Sequence, residues 1–232
     1  MQNLCLLIKI LHISAGALAL ISGLFAIVFR KRVKIHKPIG RIYFWCMTVI
    51  FASAVYMAFV KFNVFLFCVA FFTYYACLTA YRALRLKHLH LNQEPDKLDW
   101  IIEAFFGSMH LAFVVYAGYQ LHNGQTSLGI VSLVFGIFGL QGNYSTIKRL
   151  RKRLAFKNYW LLAHISGMLG SYIGAITAFT VNNYERIPLP SIALWLGPTV
   201  LIAPFIVYEI RTHKNKSGRF LSPSTKTLLE HK

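Results

Sequence analysis

Long runs of apolar residues follow one another along most of the chain, and short polar segments separate them. Each run holds about 20 residues, the length that a helix needs to cross the hydrocarbon core of a bilayer. The runs are continuously apolar and do not alternate, which excludes the strands of a membrane β-barrel. The pattern predicts an all-α integral membrane protein, a bundle of seven transmembrane helices at about residues 4–29, 42–61, 63–83, 99–120, 127–146, 159–181 and 191–210.

The basic residues are concentrated in the polar segments. Of the 25 lysines and arginines, 22 lie in residues 30–41, 82–97, 147–158 and 211–232. Seven spans place all four segments on one side of the membrane, and the positive-inside rule assigns that side to the cytoplasm. We therefore expect the N-terminus outside, the C-terminus in the cytoplasm, a transmembrane domain over residues 1–211 and a basic cytoplasmic tail over residues 212–232.

This distribution explains the formal net charge of +18. We expect the bilayer to be the main partner, with anionic lipid headgroups in contact with the basic segments at the cytoplasmic face. A nucleic-acid role needs a contiguous basic domain, which the sequence lacks. The chain is 56% hydrophobic and only 14% charged, whereas about 25% of the residues in soluble domains are charged. An ordinary soluble enzyme is therefore excluded.

Ionisable residues inside the predicted spans are the main candidates for function, because such groups are costly at membrane depth. The sequence has no HExxH, GxSxG or P-loop motif, so enzymatic activity is left open. The ionisable residues within the spans are Lys9, His12, Glu103, His110 and His164. Each histidine lies on a helix face of small residues, which favours close helix packing and would equally make room for a flat macrocycle.

The first hypothesis for these residues is a haem site. Helix rise places His12 and His110 at similar depths in the outer half of the membrane. Two histidines that face each other across a helix bundle can ligate haem iron axially. The alternative is that each histidine forms a hydrogen bond between helices. Beyond haem iron we expect no metal site, because no HxxxH pair occurs in a span.

The second hypothesis concerns the inner half of the membrane. Helix rise places Glu103 and His164 near the inner ends of the fourth and sixth spans, at a shared level. A carboxyl group and an imidazole at one level form a pair suited to proton transfer. The alternative is a plain hydrogen bond or ion pair that neutralises the carboxylate.

A third candidate lies just before the second span. His36, Lys37 and Arg41 surround Pro38 in a polar segment that we expect to form a compact turn at the inner surface. Such a turn suits contact with a lipid headgroup or a phosphate. A solvated loop without a ligand is the alternative.

Three motifs resemble those of a bacterial family of multi-span predicted membrane proteins of unknown function. They are H-x3-G-A-L from His12, H-x3-G-R-x-Y from His36 and H-x3-M-L-x-S-Y from His164. The resemblance implies a multi-pass protein of the bacterial inner membrane, and it implies no established activity. The place of these three histidines within the motifs favours them over His110, and their spread across the membrane fits an electron or proton route.

These observations leave three functional hypotheses. The first is a small cytochrome-like redox protein that binds b-type haem through His12 with His110 or His164. The second is a proton-coupled transporter that uses Glu103 and His164. The third is a non-catalytic membrane scaffold or sensor, in which the histidines serve only helix packing.

Overall fold

The computed structural model describes residues 2–60, 63–91, 93–151 and 157–219 of the chain. Within these ranges it contains no strand and seven α-helices, together with a short 3-10 turn at Tyr184–Arg186. The helices are α1 (Gln2–Val28), α2 (Val33–Val60), α3 (Val64–Ala83), α4 (Lys97–His122), α5 (Thr126–Leu150), α6 (Tyr159–Asn182) and α7 (Ser191–Arg219). All seven are long and apolar enough to cross a membrane. The chain is a multi-pass membrane protein, and the prediction of an all-α bundle is confirmed.

The start of α2 differs from the expectation of about residue 42. The backbone N–H groups of Ile35 and His36 both donate to the carbonyl of Arg32, at 2.9 Å, and these bonds begin the helix at Val33. Pro38 lies inside the helix and does not form a turn. The expected turn is therefore wrong, and the basic segment before the second span forms the first turns of α2.

The last helix is also longer than expected, since α7 continues to Arg219. The predicted tail is thus helical at its start, while its residues 220–232 lie outside the described part of the chain. Pro198 and Pro204 lie within α7 and do not interrupt it. Pro198 has no N–H for the carbonyl of Leu194. That carbonyl instead accepts a hydrogen bond of 2.9 Å from the Thr180 hydroxyl of α6.

Helix α3 is the common partner of both sides of the bundle. The pairs α1–α2, α4–α5 and α6–α7 pack closely as neighbours in the chain, and α3 packs against α2, α4, α5 and α6. On one side of α3, Cys77 lies in an apolar core with Tyr43 and Tyr172. On the other side, Phe71 and Tyr75 of α3 lie in a second core with residues of α4.

The basic segments meet at one end of the bundle, which we call the basic end. Arg30, after α1, forms an ion pair of 3.0 Å with Glu209 near the end of α7. Lys87, after α3, lies 4.8 Å from the ring centre of Trp160 at the start of α6. The first contact joins the chain after α1 to α7, and the second joins the chain after α3 to the start of α6.

Candidate functional site

A series of polar side chains runs from the basic end into the middle of the bundle, between α3, α4 and α5. We call it the polar network. Groups of this kind are expensive in a membrane unless they are hydrogen-bonded to one another. Its members are Tyr75, Arg82, Asp96, Asp99, Glu103, His110, Asn143, Thr146 and Arg149.

The network begins with an ion pair between the end of α3 and the start of α4. The Arg82 guanidinium donates to both oxygens of Asp99, at 2.7 and 2.9 Å, and to Asp96 at 2.8 Å. The side chains of Arg82 and Asp99 are only 6% and 4% exposed, whereas that of Asp96 is 67% exposed. This two-pronged geometry is the strong form of an arginine–carboxylate contact. It joins α3 to the first turn of α4 and connects the network to solvent.

Glu103 lies one helical turn beyond Asp99 and is buried. Its Oε2 atom accepts hydrogen bonds from the Tyr75 hydroxyl at 2.9 Å and from the Asn143 amide at 2.8 Å. A small cavity lies beside the carboxylate, with room for about one water molecule. Arg149 also lines this cavity, and its Nε atom has no hydrogen-bond partner among the described residues. The carboxylate and the guanidinium therefore line the same small cavity.

His110 ends the network in the middle of α4, and its side chain is fully buried. Its Nδ1 atom lies 2.7 Å from the Oδ1 atom of Asn143. The amide nitrogen of Asn143 donates to Glu103, so its oxygen accepts the hydrogen of Nδ1. The Nε2 atom of His110 then carries a lone pair, and it has no partner in the described part of the chain. Gly139 of α5 makes room for the ring, since a Cβ atom there would overlap it.

The structure does not bring Glu103 and His164 together. The hydrogen bonds of the Glu103 carboxylate come from α3 and α5, whereas Nδ1 of His164 bonds to the Ala80 carbonyl of α3 at 3.1 Å. The partners of Glu103 are Tyr75 and Asn143, which the sequence reasoning missed. The sequence contained an indication of Asn143, because Gly139, Asn143 and Thr146 lie on one face of a helix in the fifth apolar run.

His12 and His110 bond to different neighbouring helices. Nδ1 of His12 lies 2.8 Å from the hydroxyl oxygen of Ser53 on α2, whereas His110 bonds to α5. No hydrogen bond or ring contact joins the two histidines among the described residues. No group of three or more His, Cys, Asp and Glu suited to a metal was found there either. Haem ligation by this pair stays a prediction.

Two of the motif histidines do meet, at the basic end. The ring centres of His36 on α2 and His164 on α6 lie 6.2 Å apart, and their planes are nearly perpendicular, at 87°. His36 is half-buried and bonds through Nδ1 to the Ala26 carbonyl at 2.9 Å. Three residues were expected at a lipid headgroup. Lys37 and Arg41 are exposed, whereas His36 is half-buried and packs against His164.

Comparison with known proteins adds no relative: no family model, no curated protein and no solved structure matches the chain.

Proposed function

We propose that the protein is a proton-coupled transporter of the bacterial inner membrane and that Glu103 is its proton-binding group. The N-terminus lies outside in this proposal, and the basic end faces the cytoplasm and anionic lipid headgroups. The orientation is supported by the four basic segments, through the positive-inside rule. The location is supported by the resemblance of the histidine motifs to the bacterial membrane family.

The observation that carries the proposal is the buried carboxylate of Glu103 inside an apolar helix bundle. Glu103 follows Lys97, the first residue of α4, by six residues, which is about 9 Å along the helix axis. A charged side chain buried within a span is costly, and such groups are rare there. Binding a proton removes that charge, so this position favours a group that gains and loses a proton.

The network offers Glu103 a connection to the basic end. The cavity beside its carboxylate is also lined by Arg82, Asp99 and Arg149, and Arg82 in turn contacts the exposed Asp96. One water molecule in this cavity would pass protons between the carboxylates of Asp99 and Glu103, because the Arg82 guanidinium stays protonated and relays none. Protons then reach Glu103 from the cytoplasmic side in the proposed orientation.

Protonation of Glu103 would also change the packing of the helices. Its ionised carboxylate accepts two charge-assisted hydrogen bonds, one from α3 and one from α5. Such bonds weaken when the acceptor becomes neutral. The proton on Glu103 therefore loosens the contact between α3, α4 and α5, and this change links proton binding to the helix movement that a transporter needs.

Proton uptake into reconstituted vesicles tests this function. The purified protein is placed in liposomes that contain a pH-sensitive dye, and a potassium diffusion potential drives protons inward. We expect faster acidification with the wild-type protein than with empty vesicles, and loss of that difference in Glu103→Gln. The control is Glu185→Gln, an exposed acid in the turn between α6 and α7. Equal uptake by wild type and Glu103→Gln, or none above empty vesicles, contradicts the proposal.

A further inference from the structure

The pair formed by His36 and His164 lies outside the polar network and does not take part in the proposed proton route. We infer that these two residues are the axial ligands of one b-type haem at the basic end. The inference concerns a site separate from Glu103, so it stands or falls independently of the proposed transport.

The hydrogen bonds fix which nitrogen of each ring is available. Nδ1 of His36 bonds to the carbonyl of Ala26, and Nδ1 of His164 bonds to the carbonyl of Ala80. A carbonyl only accepts, so both Nδ1 atoms carry the hydrogen and both Nε2 atoms carry a lone pair. Neither Nε2 atom has a hydrogen-bond partner among the residues described. A histidine that ligates a metal usually has this arrangement, with the other ring nitrogen donating to a carbonyl.

The spacing of the two rings fits one metal ion between them. A metal bound by two imidazoles lies about 2 Å from each nitrogen and so about 3 Å from each ring centre, which puts the two centres about 6 Å apart. The ring centres of His36 and His164 are 6.2 Å apart. The two histidines come from different helices, α2 and α6, as in cofactor sites built between facing helices of a bundle.

The shortage of other protein ligands favours haem over a free ion. A free transition-metal ion normally takes four ligands, and no group of three or more His, Cys, Asp and Glu suited to a metal occurs within the described ranges. A porphyrin brings four nitrogens of its own and leaves two axial positions for the protein. Two histidines are therefore a complete protein ligand set for haem and an incomplete one for a free ion.

The charge around the pair also fits haem. Lys37 and Arg41 follow His36 on the first turns of α2, and Lys87 lies close enough to His164 to interact with it electrostatically. The positive charge of Lys87 opposes a free divalent ion, whereas it would pair with a propionate of a haem. Gly40 lies one turn after His36, and a Cβ atom built on it meets no atom within 4 Å. Gly40 therefore places no side chain beside His36 on this face of α2.

Absorption and paramagnetic resonance spectra of the full-length protein test the inference. The protein is purified in detergent after expression with added haem precursor, and haemin is then titrated in. We expect one haem per chain, a reduced-minus-oxidised spectrum typical of b-type haem, and a ferric low-spin signal of the strongly anisotropic kind that perpendicular axial imidazoles give. His36→Ala and His164→Ala should each lose the low-spin spectrum, whereas His12→Ala and His110→Ala should keep it.

Rescue by free imidazole separates ligation from folding. Imidazole added to His36→Gly or His164→Gly should restore the low-spin spectrum, because the small ligand replaces the missing ring. Glu103→Gln should bind haem as the wild type does, so this test is independent of the transport assay. A protein that binds no haem overturns the inference. Uptake of zinc or copper without haem, or loss of the spectrum in His12→Ala or His110→Ala with retention in His36→Ala, overturns it as well.

Discussion

Asn143 binds Glu103 and His110 at the same time, through the two ends of one amide. Its nitrogen donates to the Glu103 carboxylate at 2.8 Å, and its oxygen lies 2.7 Å from Nδ1 of His110. The two partners are seven residues apart on α4, so they lie on one face of that helix. Asn143 therefore ties two turns of α4 to α5 and connects the proposed proton-binding group to the most buried histidine.

Removal of this amide should lower stability markedly. Asn143→Ala removes one of the two hydrogen bonds to Glu103 and leaves Nδ1 of His110 without a partner, and an unsatisfied buried group costs about 1–3 kcal/mol. We expect a clear fall in the thermal unfolding midpoint of the protein in detergent. Gln141→Ala is the matched control, since Gln141 is exposed on the same helix. Equal midpoints for the two variants would show that the amide contributes nothing to packing.

The close packing of α5 against the His110 ring leads to a second prediction. A Cβ atom on Gly139 overlaps the imidazole of His110, so Gly139→Ala overpacks the helix contact. Overpacking costs about 1–3 kcal/mol, and we expect the unfolding midpoint to fall. Gly118→Ala should leave it unchanged or raise it, because a Cβ atom on Gly118 of α4 meets nothing within 4 Å. A Gly139→Ala protein as stable as Gly118→Ala would rule out the close approach.

The ion pair of Arg82 and Asp99, where the polar network begins, should be sensitive to the loss of one partner. Arg82→Met leaves the buried carboxylate of Asp99 without its cation, a change that costs about 3–5 kcal/mol. The double variant Arg82→Met with Asp99→Leu should be less destabilised than Arg82→Met alone, because no buried charge remains. Denaturant titration measures both. Arg85→Met, at an exposed position nearby, is the control. A double variant that is at least as unstable as the single one contradicts the assignment.

The hydrogen bond from the Thr180 hydroxyl to the Leu194 carbonyl predicts that removal of this hydroxyl lowers stability. Thr180→Val keeps the shape of the side chain and removes the hydroxyl, so the carbonyl that Pro198 leaves free loses its donor. We expect a loss of about 1 kcal/mol, seen as a modest fall in the unfolding midpoint. The same substitution at Thr199, exposed on α7, should have no effect. The relationship is refuted if Thr199→Val is the more damaging of the two.

The sequence predicted the number and type of the helices because continuous apolar runs of this length have one stable form in a bilayer. The predicted start of α2 was too late, because the low hydropathy of Lys34 and Lys37 placed these residues outside the membrane span. A helix that leaves the hydrocarbon core does not stop where its side chains become charged, since long basic side chains extend into the headgroup region.

The candidate site was predicted only in part, for a geometric reason. Glu103 and His110 stood out because ionisable groups are rare at membrane depth. Helix rise gives the depth of a residue along its own helix and not the neighbour that its side chain faces. Glu103 and His164 were therefore assigned to one level as a pair, whereas in the structure Glu103 is hydrogen-bonded to Asn143 and His164 lies beside His36.

The most direct test of the central claim is an infrared titration of the protein in lipid, which detects protonated carboxyl groups by their own absorption band. The chain has only seven acidic residues, so a single carboxyl group can be assigned by substitution. We predict that one component of the protonated carboxyl absorption disappears reversibly as the pH rises, is absent in Glu103→Gln and persists in Glu185→Gln. An unchanged band pattern in Glu103→Gln would contradict the assignment of Glu103 as the proton-binding group.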